Sequence, residues 1–157
     1  MSKYFQVPTE QELLKLNGKS ELYYCYKGFK KKLDKPLIGY KKALLFKDGT
    51  YTGRNCIVKL EIPVGATCVF FGGGNSEHKH RASVAKVLDI LTIKELKRIE
   101  GNVFAMGSSG SGWIRRTTLY IKGHNAKPDL FDADIEEECT NGIHFFTDVK
   151  RAQKWDV

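Results

Sequence analysis

The turn Lys47-Asp48-Gly49-Thr50 stands between two strand-like runs, GYKKALLF (39–46) and NCIVKLEI (55–62), and it constrains the fold more than any other stretch. Aspartate followed by glycine favours a tight reversal of the chain. The flanking runs carry the β-branched and apolar content of strands, with Ile57, Val58, Leu60 and Ile62 the apolar positions of the second. Further strand signals surround this pair: ELYYCYKGF (21–29) before it, TCVFF (67–71) after the break Pro63-Val64-Gly65-Ala66, and RASVAKVLDILTI (81–93) after the glycine-rich GGGNSEHKH. NVFAMG (102–107) and WIRRTTLYIKG (113–123) flank Gly107-Ser108-Ser109-Gly110-Ser111-Gly112, a loop by composition, and GIHFF (142–146) is the last strand.

Helical signals lie near both ends. Thr9 caps EQELLKLNG with Glu12 three residues on and Gly18 after its end, and TDVKRAQKW (147–155) is a helix capped by Thr147. KELKRIE (94–100) has the composition for two helical turns. The expected fold is therefore α+β: one strand-rich domain over residues 1–157, with a short N-terminal helical segment in 1–20 and a C-terminal helix. A chain of 157 residues suits one domain with its own core.

No apolar run approaches the ~20 residues of a membrane span, and the N-terminal stretch is too charged for a signal peptide, so the expected place is the cytosol, with no membrane partner. Cys25, Cys56, Cys68 and Cys139 form no C-x-x-C pair and read as reduced, mostly buried thiols. His78 and His80 would share a strand face, but no carboxylate or cysteine at ligand spacing completes a metal site, and neither a metal nor another cofactor is expected.

The net charge of +8 is unevenly placed. Residues 1–60 hold 13 Lys/Arg against 5 Asp/Glu, and residues 61–157 hold 13 of each. Lys27, Lys30, Lys31, Lys32, Lys35, Lys41, Lys42 and Lys47 concentrate the excess, and Tyr23, Tyr24, Tyr26, Phe29 and Tyr40 lie among them. Cations beside aromatic rings suit phosphate-bearing partners with bases to stack. In contrast, the segment from Asp129 to Glu138 carries six carboxylates and reads as exposed.

The candidate binding residues are Arg81, Lys41, Lys42 and His144 as polar groups and Tyr40 and Trp113 as stacking rings. Arg81 offers a planar guanidinium that can grip phosphate or carboxylate at two points. His144 titrates near neutral pH and can donate or accept, and the expectation is that it faces the same cavity as Arg81. No Ser-His-carboxylate arrangement can be assembled, which favours a binding protein over an enzyme.

Four segments in one order carry a resemblance: GYKKA (39–43), IVKLEIP (57–63), RASVAKVLDI (81–90) and CTNGIHFF (139–146). Together they resemble an uncharacterised domain family of bacteriophages and large DNA viruses, often joined to pentapeptide repeats, over roughly residues 36–157. That resemblance implies a viral accessory protein in the host cytosol, taking up a small anionic nucleotide-type ligand and sequestering a host-defence signal. GIHFF followed by a helix with Ala152 and Trp155 also resembles the poly(ADP-ribose) polymerase-type transferases, with Tyr26-Lys27-Gly28 in the place of their His-Gly-Thr. This implies the alternative of an ADP-ribosyltransferase-like enzyme using NAD, with His144 near the nicotinamide. A nucleic-acid-binding protein is the other alternative, and a homo-oligomer is compatible with each.

Overall fold

The structure is a computed structural model, and it describes residues 3–7, 29–71, 79–108, 117–128 and 142–155. Its strands are β1 (Phe29–Lys32), β2 (Leu37–Lys47), β3 (Thr50–Ile62), β4 (Thr67–Phe70), β5 (His80–Ala82), β6 (Ala85–Leu91), β7 (Val103–Ser108), β8 (Thr117–Tyr120), β9 (Asn125–Ala126) and β10 (Ile143–Phe145). One helix, α1 (Val149–Lys154), follows.

The α+β expectation is corrected: 56% of the described residues are strand and 6% helix, so the described fold is essentially all-β, with one short C-terminal helix among the described residues. Two local readings explain part of the shift. Residues 94–100 do not form a helix. Instead, Leu96 takes a left-handed φ of 56°, Thr92 N donates to Lys97 O at 2.8 Å, and Ile99 N returns to Ile90 O at 3.0 Å. Seven residues give too few hydrogen bonds to offset helix nucleation, whereas the turn lets Ile93 and Leu96 reach an apolar cluster. The helix α1 is capped by Asp148, not Thr147: the Asp148 carboxylate accepts from Lys150 N at 3.0 Å. The expected N-terminal helix lies outside the described residues.

A six-stranded antiparallel sheet, in the order β8-β7-β2-β3-β6-β9, curls into a nearly closed barrel, and a four-stranded sheet, β1-β4-β5-β10, packs with it. The β2–β3 hairpin is the spine. Asp48 and Gly49 both have positive φ, 51° and 80°, which matches the twist of a two-residue hairpin loop. Along β2 buried and half-buried residues alternate from Leu37 to Phe46, so Gly39, Lys41, Ala43 and Leu45 face inward while Tyr40 and Lys42 face out.

Inward residues of both sheets make one core, including Val58, Leu60, Ile62, Cys68, Phe70, Val87, Ile143 and Phe145. Burial pushes the Cys56 and Cys68 thiols up to about 12, so they stay protonated and inert at neutral pH. The sheets meet where Tyr40 and Phe146 exchange two backbone hydrogen bonds of 2.8 Å. Just beside that join, Phe145 crosses Gly39 so closely that a Cβ there would lie 2.6 Å from Cδ2 of its ring. Gly39→Ala is therefore expected to lower stability by about 1–3 kcal/mol by forcing the ring off its position. Urea unfolding of the variant and the parent measures it.

A second apolar cluster lies outside the barrel, where α1 covers Ile57 and Phe146 with help from Tyr40, Ile93, Leu96 and Trp155. The helix also ties down polar partners. Lys42 Nζ donates to Gln153 O at 3.0 Å near the helix C-terminus, where a cation is favoured, and Gln153 Nε2 donates to Ile93 O at 2.6 Å. These two bonds set the positions of Lys42 and Ile93, both of which line the groove described next.

Candidate functional site

Two neighbouring positions on β2 point to different places. Lys41 enters the barrel and Lys42 faces outward, because successive strand residues alternate sides. The expected set of Arg81, Lys41, Lys42, His144 and Tyr40 is accordingly divided among three locations. Trp113 lies outside the described residues, as do Tyr26, Lys27 and Gly28.

The first location is the β5–β10 pair. Arg81 and His144 are directly opposite each other in the antiparallel register, so their side chains share one face of the smaller sheet. The two are thus neighbours on that face, and both are covered: Arg81 is fully buried and His144 is 7% exposed. The Arg81 guanidinium lies 5.2 Å from the centroid of the Phe71 ring, a cation–π contact. Beside it Lys79 Nζ sits 4.8 Å from the Trp155 ring, which in turn packs on Phe146 at 5.3 Å. His80 turns to the opposite face, into the core. Its Nδ1 accepts from Phe71 N at 3.0 Å, and its ring meets Phe70 and Phe145 edge-on at 5.3 and 5.7 Å. An imidazole in such a box holds the fold together.

The second location is the barrel interior, where Lys41 is 7% exposed. Burial, with help from the charge of Lys79, lowers its pKa from 10.5 to about 7. Its Nζ lies 5.1 Å from the centroid of the Tyr120 ring.

The third location is an open groove of about 720 Å³ between the β2–β3 hairpin and the 92–99 turn, which outward-facing Lys42 and the core residue Leu45 both line. Lys42, Lys47, Arg54 and Lys94 bring four cations to it, Thr52, Asn55 and Thr92 add polar groups, and Leu45, Ile93 and Ile99 give it an apolar floor. Among the described residues no carboxylate lines it. Its walls are held in place by short-range bonds. A bulge between Leu44 and Phe46 interrupts the β2–β3 ladder, and Thr52 Oγ1 donates to Leu45 O at 2.8 Å while accepting from Arg54 N at 3.2 Å. Gly53 between them has a φ of 76°, a left-handed conformation that favours glycine.

The opposite wall is the 92–99 turn, pinned by Asp89. Burial works against ionisation of Asp89, but hydrogen bonds from Arg98 Nε, 2.9 Å away, and from Ile90 N prevail, together with the charges of Lys122 and Arg98. They hold its carboxyl below the usual range. The net effect is a concave surface with a strong positive field and an apolar base.

A family profile matches residues 21–152, most of the chain, and its description is a family of unknown function. The chain belongs to that family, DUF5758. The DUF5758 match takes in the ten described strands and the groove, and it ends within α1. No curated protein matches the chain, and no solved structure does.

Of the groove, the sequence reading singled out Lys42 as a site residue and Lys47 only as part of the basic run. Arg54, Thr52, Asn55 and Lys94 went unnoticed. The signal for Arg54 was present, since the hairpin turn at Asp48-Gly49 folds the start of β3 back along the end of β2. Nothing in the sequence ties Lys94 to either.

Proposed function

We propose that the protein binds a small phosphate-bearing anion of the nucleotide class in the groove beside the β2–β3 hairpin. The observation that carries this reading is the charge of the groove: among the described residues, four cations and no carboxylate surround an apolar floor. Lysine and arginine side chains suit phosphate oxygens, and Leu45, Ile93 and Ile99 suit the face of a base or another flat ring. The volume also lies within the range of small-molecule sites, roughly 300–1,000 Å³. That preference for a small ligand over a long polynucleotide rests on the concave shape.

That the protein serves a phage or a large DNA virus, works in the host cytosol and withdraws a host-defence nucleotide is a further part of the proposal. It is supported by the sequence resemblance alone.

Calorimetric titration with ATP, ADP and adenosine at two salt concentrations tests the binding reading. Expected affinity falls in the order ATP, ADP, adenosine, and ATP binding weakens when salt rises from about 50 to about 300 mM, since the rim cations are exposed and screened. Equal binding of adenosine and ATP, or no heat with either, contradicts it.

A further inference from the structure

The six-stranded sheet leaves one seam in the barrel. Its terminal strands, β8 and β9, are joined by the turn at residues 121–124, yet in the sheet β8 is hydrogen-bonded to β7 and β9 to β6, not to each other. The turn explains why. His124 N donates to Ile121 O at 2.9 Å, while Val87 of β6 accepts from Gly123 N at 2.8 Å and donates to His124 O at 2.9 Å, so β9 follows β6 and parts from β8. An open cleft of about 370 Å³ lies there, lined by both strands and the turn.

In an antiparallel edge strand alternate residues direct their N–H and C=O groups away from the sheet, and such edges are commonly blunted by lysine, proline or a bulge. Neither edge here carries such a device: β8 is Thr117-Thr118-Leu119-Tyr120 in unbroken register with β7, and β9 is Asn125-Ala126. Leu119 and Ile121, 46% and 37% exposed, both line the cleft and are two of the four large apolar side chains left exposed among the described residues. Lys127 gives the cleft a positive charge, His124 adds a hydrogen-bonding ring, and among the described residues no carboxylate lines it. Lys122, next in the turn, is already engaged with Asp89 at 3.6 Å.

We propose that the seam between β8 and β9 takes up a short, extended, acidic peptide from a partner protein, which adds as a strand along β8. Ladder hydrogen bonds to the free edge give affinity with little regard to sequence, Leu119 and Ile121 pack against alternate apolar side chains, and Lys127 pairs with a carboxylate. The charge selects the partner. A second copy of this chain fits less well, because each copy carries +8 and the two repel. The four residues of β8, at ~3.3 Å each, match about four residues of peptide, so binding is reversible and weak.

Fluorescence anisotropy with the full chain tests this. The probe is a labelled, end-capped peptide of alternating valine and threonine closed by two aspartates, and amide shift mapping locates it. Saturable binding is expected, with the largest shifts and slowed hydrogen exchange within residues 117–127. The same peptide N-methylated along its backbone lacks the ladder donors, and one with lysines for aspartates lacks the charge match. Each should bind at least about tenfold more weakly. Leu119→Glu and Ile121→Glu, at exposed positions, should leave the urea midpoint unchanged and weaken binding by a similar factor. No binding at about 1 mM peptide, a bound peptide whose shifts lie outside 117–127, or equal binding of the N-methylated or lysine peptide overturns the proposal. So does sedimentation showing a dimer that Leu119→Glu dissolves, since a second copy would then occupy the seam.

Discussion

Lys41→Met is expected to make the protein markedly more stable at pH 6 and to change its stability little near pH 10. An unfolded lysine titrates near 10.5, whereas in the folded chain Lys41 titrates near 7, mainly because burial disfavours its charge. Between these values the unfolded chain holds more protons, so stability rises with pH across that window. Below pH 7 both forms are protonated and the full penalty of a buried ammonium applies. Above about 10.5 both are neutral and the penalty is gone.

Methionine matches the length of the lysine stem and removes the charge, so its benefit follows the penalty. The drop from 10.5 to about 7 corresponds to a gain on the order of 5 kcal/mol at pH 6. Urea unfolding of the parent and the variant at about pH 6 and about pH 10 reads this difference. Equal effects at both values would mean that the Lys41 ammonium is solvated in the native barrel.

The strands were legible because each carries its own punctuation. Asp48-Gly49 marked the reversal between β2 and β3, and GIHFF, TCVFF and RASVAKVLDI announced β10, β4, β5 and β6 through their bulky and branched residues. The region 94–100 was misread because lysine, glutamate and leucine favour a helix wherever nothing else intervenes. There, the tertiary pull of Ile93, Leu96 and Ile99 toward the two apolar clusters intervened.

Alternation along β2 was also available in the sequence, and it bears on the site: Lys41 and Lys42 are adjacent and so cannot share one cavity. Sequence does not state which distant strands pair. The meeting of Arg81 with His144, of Lys41 with Tyr120 and of Arg54 with Lys94 depends on register and sheet curvature spanning most of the chain. A histidine in a strand therefore told little by itself. His80 proves to be a packing group hydrogen-bonded to Phe71 N, and His144 lies covered beside a buried arginine.

The second large effect concerns the groove. Lys47 and Arg54 are exposed and contribute to its rim from opposite sides of the hairpin, so the double variant Lys47→Glu/Arg54→Glu should fold normally while reversing the field felt by a phosphate. Each charged hydrogen bond is worth about 1.5–3 kcal/mol, so losing two weakens ATP binding by roughly two to four orders of magnitude, before any added repulsion. The Lys41→Met variant, changed on the inner face of β2, should bind ATP as the parent does. Amide shift mapping during an ATP titration of the isotope-labelled protein tests the central claim most directly. The account predicts that the largest shifts fall at Lys42, Lys47, Arg54, Asn55 and Lys94 and are abolished in the double variant. Shifts centred on Arg81 and His144 with the groove unmoved, or ATP shifts that survive both charge reversals, would contradict it.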